Sequence, residues 1–350
     1  MRLGDSPVRD QVRGMFLGVA IGDALGVPVE TYDAGRIRTE FGRITDYRQN
    51  PTHKWSSEKP AGMWSDDTQL TLAVAESIIE TGRLDLENQA KWHLVLLDEF
   101  GDLGLGGSTR DALRRLREGE KPTESGISNN PKRGMGNALP MKVAPVGLYL
   151  ASPGPWDGPR QSWEGLEHDI IALAHMTHGT DVGGMSAVAH ASAIALCLTF
   201  SSRRHSGLIG RYLVSEIVET LDGVPDFGPV SHHGQELYWR LEGLNAFKTM
   251  LPFVTPQAWD ATLGGDRFHV NFTLPFCYGM FLRNPDSVET LYDTISAGGD
   301  TDTNASIVGG MLGAVHGAAL FPEHLVAGLA HRERILDTAE RLCARLGIKE

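Results

Sequence analysis

Glycine recurs every fourth residue within two apolar stretches of this chain, and this spacing constrains the fold more than any other feature of the sequence. The first stretch carries Gly18, Gly22 and Gly26, and the second carries Gly309 and Gly313. A spacing of four residues puts positions on one face of an α-helix. Helix backbones can approach closely where side chains are missing, which offsets the poor helix propensity of glycine. The sequence therefore predicts closely packed helices, which gives a local reason for a glycine content of 41 residues in 350.

Helical periodicity of apolar residues also recurs along the rest of the chain, whereas the alternation typical of strands is scarce. The predicted helices span residues 8–26, 69–80, 87–100, 108–118, 164–176, 184–200, 208–221, 286–297, 303–317 and 333–346. The predicted loops, rich in Gly, Pro, Ser and His, span residues 119–135, 152–163, 201–207, 223–235 and 253–272. No repeat of fixed period occurs. We therefore predict an all-α fold and a single domain over residues 1–350.

The charge of the chain argues against a dedicated nucleic-acid-binding surface. The formal net charge is −12, and no basic cluster is larger than Arg114, Arg115 and Arg117 on one predicted helix. Proteins dedicated to nucleic-acid binding normally carry a basic stripe. An acidic surface is still compatible with a substrate that is attached to a nucleic acid or to a protein.

Cysteine usage and the N-terminal sequence bear on the cellular compartment. Cys197, Cys277 and Cys343 are odd in number and far apart, so they predict reduced thiols with a structural role. The apolar run MFLGVAIGDALGV is interrupted by Asp23 and has no cleavage-type site. We expect neither a signal peptide nor a membrane helix there. A cytoplasmic location is the resulting expectation.

Two polar clusters each stand directly before an apolar helical stripe. One is the segment Ser65–Thr68 of MWSDDTQL, and the other comprises Asp300, Asp302 and Thr303 of AGGDTDTN. Ser, Thr and Asp side chains commonly satisfy the unpaired N–H groups of a helix N-terminus. Helix capping alone is therefore one interpretation, although a cap needs only one residue.

The spacing within the clusters favours a second interpretation, a metal site. Adjacent Asp66 and Asp67 must project to different sides, while Asp300 and Asp302, two residues apart in an extended lead-in, can point the same way. If the two helix starts meet, four carboxylates face one another and repel unless cations neutralise them. Oxygen ligands suit Mg²⁺ or Mn²⁺ and not Zn²⁺. Two such ions could bind a substrate diol and activate water.

As whole motifs, these segments resemble the ADP-ribosylglycohydrolase family. The resemblance runs in chain order through GVAIGDALGVPVE, MWSDDTQLTLAVAESI, GLGGSTRDALRRL, GMGNALPMKVAPVGL, MTHGTDVGGMSAVAHASAIA and AGGDTDTNASIVGGMLGAVHG. It implies a compact orthogonal helix bundle with a two-metal site, holding two Mg²⁺ or Mn²⁺ ions, in a cleft. The implied metal ligands are Ser65, Asp66, Asp67, Asp300, Asp302 and Thr303. Ser65 stands where the family more often has threonine, so a hydroxyl is retained.

The resemblance also implies roles for residues outside the two clusters. Glu30 matches a family glutamate close to the metals; a surface acid after a turn is its alternative reading. The loop GMGNALPMK matches the family loop that holds the diphosphate and ribose, and glycine N–H groups suit anions physically. The implied substrate-binding residues are Gly134, Gly136, Asn137, His178 and Asp102.

The segment GDLGLGGSTRDALRRL combines a glycine-rich turn with a helix whose predicted cap is Ser108 or Thr109. Asp102 lies in this turn, where some family members place an acid that faces the substrate. An ordinary exposed loop carboxylate is the alternative.

The function implied by the resemblance is hydrolysis of the bond between the anomeric carbon of ADP-ribose and an acceptor. The ions would hold two ribose hydroxyls and a water. Asp66, Asp67 and Asp302, with Asp300, would position the ions, and Glu30 or a neighbouring aspartate would assist proton transfer. The partners would be ADP-ribosylated proteins, nucleic acids or small molecules, without a membrane.

Two other functions are compatible with the same residues. One is a non-catalytic protein that binds ADP-ribose or a nucleotide on the same fold. The other is a metal-dependent phosphohydrolase that releases AMP, which fits the ions but not the order of the motifs. The segment 201–273 shows the least family pattern, and it contains Trp239, Trp259, His232 and His233. It could recognise the acceptor or serve only in packing.

Overall fold

The computed structural model describes residues 8–130, 132–152, 163–199, 206–224, 227, 233–265 and 267–349. The α-helices of these residues are α1 (Arg9–Gly26), α2 (Ala34–Glu40), α3 (Asp66–Thr81), α4 (Leu86–Phe100), α5 (Gly107–Arg117), α6 (Ala144–Ala151), α7 (Trp163–His175), α8 (Asp181–Thr199), α9 (Ser206–Asp222), α10 (His233–Phe247), α11 (Pro256–Leu263), α12 (Val270–Arg283), α13 (Glu289–Ser296), α14 (Thr301–His316), α15 (Glu323–Gly328) and α16 (Arg332–Arg345). Short 3₁₀ helices span Val27–Val29, Leu251–Phe253 and Ala318–Leu320. Within the described ranges β-type pairing is limited to the isolated bridges Asp33–Gly298 and Gly136–His269. The predicted all-α fold class is confirmed.

Helices α1 and α14 form the most extensive helix pair of the described structure, and their glycines explain it. A Cβ atom at Gly18 would overlap the carbonyl oxygen of Gly309, and a Cβ at Gly22 would overlap the backbone of Ala305. Further along, a Cβ at Gly26 would overlap the backbone of Asp302. The two backbones therefore touch, and the helices run antiparallel. This packing brings the C-terminal end of α1 to the first turn of α14.

The predicted helical ranges each overlap an observed helix, but some observed helices were not predicted. The missed helices are α2, α6, α10, α11, α12 and α15. The predicted loop 253–272 is wrong, because α11 and the start of α12 lie in it. Thr255 caps α11 by accepting a hydrogen bond from the Ala258 N–H, and Pro256 occupies the first helical turn. Proline is favoured at that position, so a helix-start signal resembled a loop signal. The predicted loop 152–163 falls largely outside the described residues.

The predictions for the residues at the starts of α14 and α5 need correction. Helix α14 begins at Thr301, so Asp300 and Asp302 do not lie in an extended lead-in: Asp300 is the N-cap residue and Asp302 lies in the first turn. Helix α5 begins at Gly107 and its cap residue is Gly106, without a side-chain cap. The Ser108 hydroxyl instead accepts a hydrogen bond from the Gly134 N–H, 2.9 Å away. That contact ties the α5 start to the glycine-rich loop.

Two segments are long and apolar enough to cross a membrane by length and composition alone. They span Arg9–Val29 and Asp181–Thr199, and their hydropathic windows are 94% and 100% buried inside the protein. Core helices pass the same test. Since α1 packs on α14, and α8 packs against α6, α7 and α9, both segments have protein neighbours throughout.

The segment 201–273 contributes to the core as well as to the surface. Trp259 is buried, and its indole N–H donates a hydrogen bond to the Phe276 carbonyl at 3.2 Å. Trp239 is 63% exposed. His233 lies 5.4 Å from His269 between ring centroids, whereas His232 is outside the described residues. Packing thus accounts for Trp259, and a role of this segment in acceptor recognition stays a prediction.

Candidate metal and substrate site

The two polar clusters meet at the N-terminal ends of α3 and α14. The Thr303 hydroxyl donates a hydrogen bond to Asp67 Oδ2 at 3.3 Å, and the Ser65 hydroxyl donates to the same oxygen at 3.2 Å. Ser65 is also the N-cap of α3 and accepts from the Asp67 N–H. One carboxylate oxygen therefore joins the two motifs in a buried contact.

Carboxylates gather in two overlapping groups at this junction. Oxygen atoms of Asp23, Asp67 and Asp302 lie within 4.8 Å of one another, and so do oxygen atoms of Glu30, Asp300 and Asp302. Asp302 belongs to both groups. All of these aspartates are buried, and Glu30 is partly buried. The arrangement concentrates negative charge in the interior.

Burial and mutual repulsion raise the pKa of every predicted carboxylate of the cluster. Burial, then a neighbouring carboxylate, raises the pKa of Asp66 to about 7, of Asp300 to about 7 and of Glu30 to about 9. For the same reasons the pKa values of Asp67 and Asp302 lie well above the ordinary value. A cluster with such pKa values holds protons at neutral pH unless cations replace them.

Two oxygens of the cluster are buried and have no hydrogen-bond partner in the described part of the chain. They are Asp67 Oδ1 and Glu30 Oε2. An unsatisfied buried oxygen is costly, and a cation is one group that satisfies it. The available donors are carboxylate and hydroxyl oxygens without sulfur, a set that fits Mg²⁺ or Mn²⁺.

Asp23 is a buried member of the cluster that the sequence reasoning did not assign to the site. Its Oδ1 accepts from the Ser65 N–H at 2.8 Å, and its Oδ2 accepts from the Thr68 N–H at 3.0 Å and the Thr68 hydroxyl at 2.6 Å. Asp23 thus fixes the start of α3 onto α1. A carboxylate inside an apolar helical run was the available signal, because such a residue needs partners once it is buried.

Residues 50–59, which precede α3, lie against Glu30 and its neighbours. This segment was not assigned to the site from the sequence. The His53 Nε2 atom lies 2.9 Å from the Glu30 carbonyl oxygen, and the Asn50 amide donates to the Pro28 carbonyl at 2.7 Å. The Trp55 side chain lowers the pKa of the Glu30 carboxyl, against the larger effect of burial. Lys59 donates to the Trp64 carbonyl at 2.6 Å, and its positive charge acts on Asp23 and Asp66. No short motif marks this segment in the sequence.

Asn137 connects the glycine-rich loop to the carboxylate cluster. Its amide nitrogen lies 2.7 Å from Asp300 Oδ2, 3.2 Å from the Thr273 hydroxyl and 3.3 Å from the Arg267 carbonyl. An amide donates to a carboxylate without adding charge, so Asn137 orients Asp300. The sequence predicted a substrate contact for this residue, and the structure adds this contact to Asp300.

A cavity of about 480 Å³ adjoins Asn137. Its wall includes Gly106, Gly107, Lys132, Arg133, Gly136 and His178. Gly134 stands beside it, with its N–H bonded to Ser108 and its carbonyl accepting from the Thr180 hydroxyl at 2.6 Å. The structure therefore brings the predicted substrate loop, His178 and the uncapped start of α5 together around one cavity.

Comparison with known proteins identifies the family. The family model described as ADP-ribosylglycohydrolase matches residues 5–349. The chain belongs to the ADP-ribosylglycohydrolase family.

Relatives cover nearly the whole chain. An uncharacterized protein of Archaeoglobus fulgidus is 29% identical over 96% of this chain and 96% of its own length. The ADP-ribosyl-[dinitrogen reductase] glycohydrolase of Rhodospirillum rubrum is 26% identical over 90% of this chain and 88% of its own. A solved chain of an ADP-ribosylglycohydrolase-related protein complex matches with a TM-score of 0.69 at 24% identity, covering 96% of this chain and 98% of that chain. That likeness establishes the ADP-ribosylglycohydrolase fold.

Two acids singled out by the family resemblance lie apart from the tight carboxylate groups. Asp66 Oδ1 points at Gly104, where an added Cβ would come within 2.6 Å of it. Asp66 and Asp67 thus project to different sides, as predicted. Asp102 has a side chain 66% exposed and pairs with Arg110 at 3.4 Å. The structure places Asp102 beside a separate cavity of about 410 Å³. Its substrate role stays a prediction.

Proposed function

We propose that this member of the ADP-ribosylglycohydrolase family is a metal-dependent hydrolase that cleaves the glycosidic bond between ADP-ribose and an acceptor. Family membership supports hydrolysis of ADP-ribosyl groups in general. The observation that carries the metal-dependent mechanism is the position of Asp302 in two carboxylate groups, each with oxygens within 4.8 Å of one another. One residue at the centre of two oxygen clusters suits a pair of ions.

The cofactor in this proposal is a pair of Mg²⁺ or Mn²⁺ ions. Cations would satisfy the unpartnered Asp67 Oδ1 and Glu30 Oε2 atoms and remove the repulsion that raises the pKa values of the cluster. The residues proposed to hold them are Ser65, Asp66, Asp67, Asp300, Asp302 and Thr303. When bound, such ions orient a diol and lower the pKa of a bound water.

The chain's own residues supply the remaining chemistry. Asn137 orients Asp300, and Asp23 holds the first turn of α3, so the carboxylates keep fixed positions. Glu30 is proposed to assist proton transfer, because burial, the largest cause of its raised pKa, favours the protonated form of its carboxyl. Carboxylates beside the anomeric carbon stabilise the positive charge that develops there as a glycosidic bond breaks.

The cavity beside Asn137 is the proposed seat of the diphosphate. Lys132 and Arg133 bring positive charge to its wall, and Gly107 brings the N-terminus of α5. The first N–H groups of a helix favour anions, and here no side-chain cap occupies them. If a phosphate bound there, the adjoining ribose would lie on the Asn137 side of the cavity, close to Asp300.

The test is product analysis with a panel of ADP-ribosylated substrates in Mg²⁺ or Mn²⁺. Arginine-linked, serine-linked and nucleic-acid-linked ADP-ribose together decide the acceptor class. Release of intact ADP-ribose from at least one substrate is the expected result. Free AMP would indicate a phosphohydrolase instead. Metal-dependent binding of ADP-ribose without any release would show a non-catalytic binding protein.

A further inference from the structure

Lys142 is a fully buried amine that the proposed reaction does not use directly. Its side chain is 0% exposed, although no carboxylate pairs with it in the described part of the chain. The Nζ atom has two polar neighbours, His93 Nε2 at 3.3 Å and Thr177 Oγ1 at 3.1 Å. A buried amine with two neutral partners calls for a specific explanation, because burying it is costly.

The hydrogen-bond direction at His93 follows from its other nitrogen. His93 Nδ1 lies 2.7 Å from the Gln89 carbonyl oxygen, which can only accept, so Nδ1 carries the proton. Burial and the Lys142 charge lower the pKa of His93 well below its ordinary value, so the ring is neutral. Its Nε2 is therefore an acceptor, and Lys142 donates to it. This contact orients the amine.

The direction at Thr177 follows in turn. Lys142 donates its second N–H to Thr177 Oγ1, so the hydroxyl proton is available for another acceptor. The remaining polar neighbour of that hydroxyl is His178 Nδ1 at 3.1 Å, and the described residues offer it no other side-chain contact. The Thr177 hydroxyl proton and His178 Nδ1 are both satisfied if the hydroxyl donates to that nitrogen. That nitrogen must then be unprotonated.

We propose that Lys142 and Thr177 fix His178 in the tautomer with its proton on Nε2, so that the ring donates a hydrogen bond to an oxygen of the bound ADP-ribosyl group. His178 lines the cavity of about 480 Å³. A Cβ at Gly136 would stand 3.6 Å from Nε2, so that nitrogen faces this glycine of the cavity wall. The ligand in this inference rests on the proposed function; the tautomer does not.

The electrostatics of the pocket agree with a neutral donor. Burial, then the Lys142 charge, lowers the pKa of His178 to about 3, so the ring carries no charge at neutral pH. His178 therefore contributes to binding through one directed hydrogen bond from its Nε2–H group. Burial lowers the pKa of Lys142 to about 7, and a neutral amine still has two N–H groups for its two acceptors. Lys142 is thus a positioning residue that acts through Thr177.

The tautomer can be read directly by long-range ¹H–¹⁵N NMR of the full chain with ¹⁵N-labelled histidine, without ligand. A His178→Gln variant assigns the resonances. We expect His178 of the wild type to carry its proton on Nε2, with Nδ1 showing the shift of a hydrogen-bond acceptor. Thr177→Val should remove that shift, and Thr177→Ser should restore it. Lys142→Met should give an intermediate, mixed tautomer, because the hydroxyl is no longer oriented. A proton on Nδ1 in the wild type would overturn the inference, as would a spectrum unchanged by Thr177→Val.

Calorimetry with ADP-ribose tests the ligand half separately. Losing one well-directed hydrogen bond should raise the Kd of Thr177→Val about tenfold, while Thr177→Ser should stay within about twofold of wild type. Equal affinity of wild type and Thr177→Val would overturn the donor role. If the wild type binds no ADP-ribose, both the proposed function and the ligand role of His178 are wrong. The NMR spectra would still test whether Lys142 and Thr177 fix the tautomer.

Discussion

The Thr303 hydroxyl donates a hydrogen bond to Asp67 Oδ2 across 3.3 Å, and this contact joins two motifs 236 residues apart in the chain. Its origin lies in helix packing. The glycines of α1 allow α14 to approach until the end of α1 touches the first turn of α14. Asp23, near that end of α1, then holds the first turn of α3 through the Ser65 and Thr68 N–H groups. The candidate site is therefore a product of the most extensive helix contact in the described structure.

Replacing a contact glycine on α1 should destabilise the protein. In Gly22→Ala the added Cβ would overlap the Ala305 backbone, which cannot rotate away. Overpacking of this kind costs about 1–3 kcal/mol. The matched control is Gly243→Ala on α10, where nothing lies within 4 Å of the added Cβ; it should stabilise by up to about 1 kcal/mol through helix propensity. Denaturant unfolding measures both, and equal midpoints for the two variants would contradict the packing account.

Asp23→Asn should weaken cation binding, because Asp23 belongs to one of the two carboxylate groups and also holds the start of α3. One oxygen becomes an amide that faces an N–H donor of Ser65 or Thr68, so the start of α3 shifts. Groups that orient metal ligands typically change metal affinity about 10–100-fold. Titration calorimetry with Mn²⁺ is the measurement. The control is Asp337→Asn, an exposed carboxylate on α16 paired with Arg341, which should bind Mn²⁺ as the wild type does. Unchanged affinity in Asp23→Asn would show that Asp23 serves stability alone.

Without divalent cations, stability should fall as pH rises. The folded-state pKa values of Asp66 and Asp300 are about 7 and that of Glu30 is about 9, above those of an unfolded chain. Between about pH 4 and those values the folded state holds protons that the unfolded state has released, so each unit of pH reduces the free energy of unfolding. We expect the Tm in EDTA to drop by at least about 3 °C from pH 5 to pH 8. Saturating Mg²⁺ should reduce this drop. A Tm that rises over the same range in EDTA would refute the description of the cluster.

The basic wall of the cavity should control substrate affinity. Neutralising it with Lys132→Gln and Arg133→Gln removes charge from the proposed diphosphate seat. Charged hydrogen bonds contribute about 1.5–3 kcal/mol, so the KM of the double variant should rise at least about tenfold, with a smaller change in kcat. Arg332→Gln, a surface residue paired only locally with Glu333, is the control. Steady-state kinetics over a range of salt concentrations measures the KM. An unchanged KM in the double variant would contradict the proposal that this cavity binds the diphosphate.

How far the sequence predicts this molecule depends on how local each feature is. The glycine spacing on α1 and α14 is local and correctly predicts close helix packing, because small residues on one helix face have few other uses. Helix α11 was missed because Thr255 and Pro256 mark both loops and helix starts. Asp300 and Asp302 were placed in a lead-in although α14 begins at Thr301, since a helix start is ambiguous by a residue or two.

Features of the site that depend on contacts between distant segments could not be predicted from local sequence patterns, and only the family resemblance implied that the two polar clusters share one site. The junction of Asp67 with Thr303 is one, because no local pattern fixes the distance between two helix starts. The contact of Asn137 with Asp300 is another, since it depends on how the glycine-rich loop lies against α14. Asp23 was visible as a carboxylate in an apolar run, and its partners became clear only once α3 was placed beside α1.

The most direct test of the central claim is the rate of ADP-ribose release in saturating Mn²⁺ by wild type, Asp302→Asn and the control Asp337→Asn. Asp302 stands in both carboxylate groups, so its replacement should impair both proposed ion positions at once. The account predicts release by the wild type and the control, and a loss of at least about 100-fold in Asp302→Asn. Release by Asp302→Asn at the wild-type rate would contradict it.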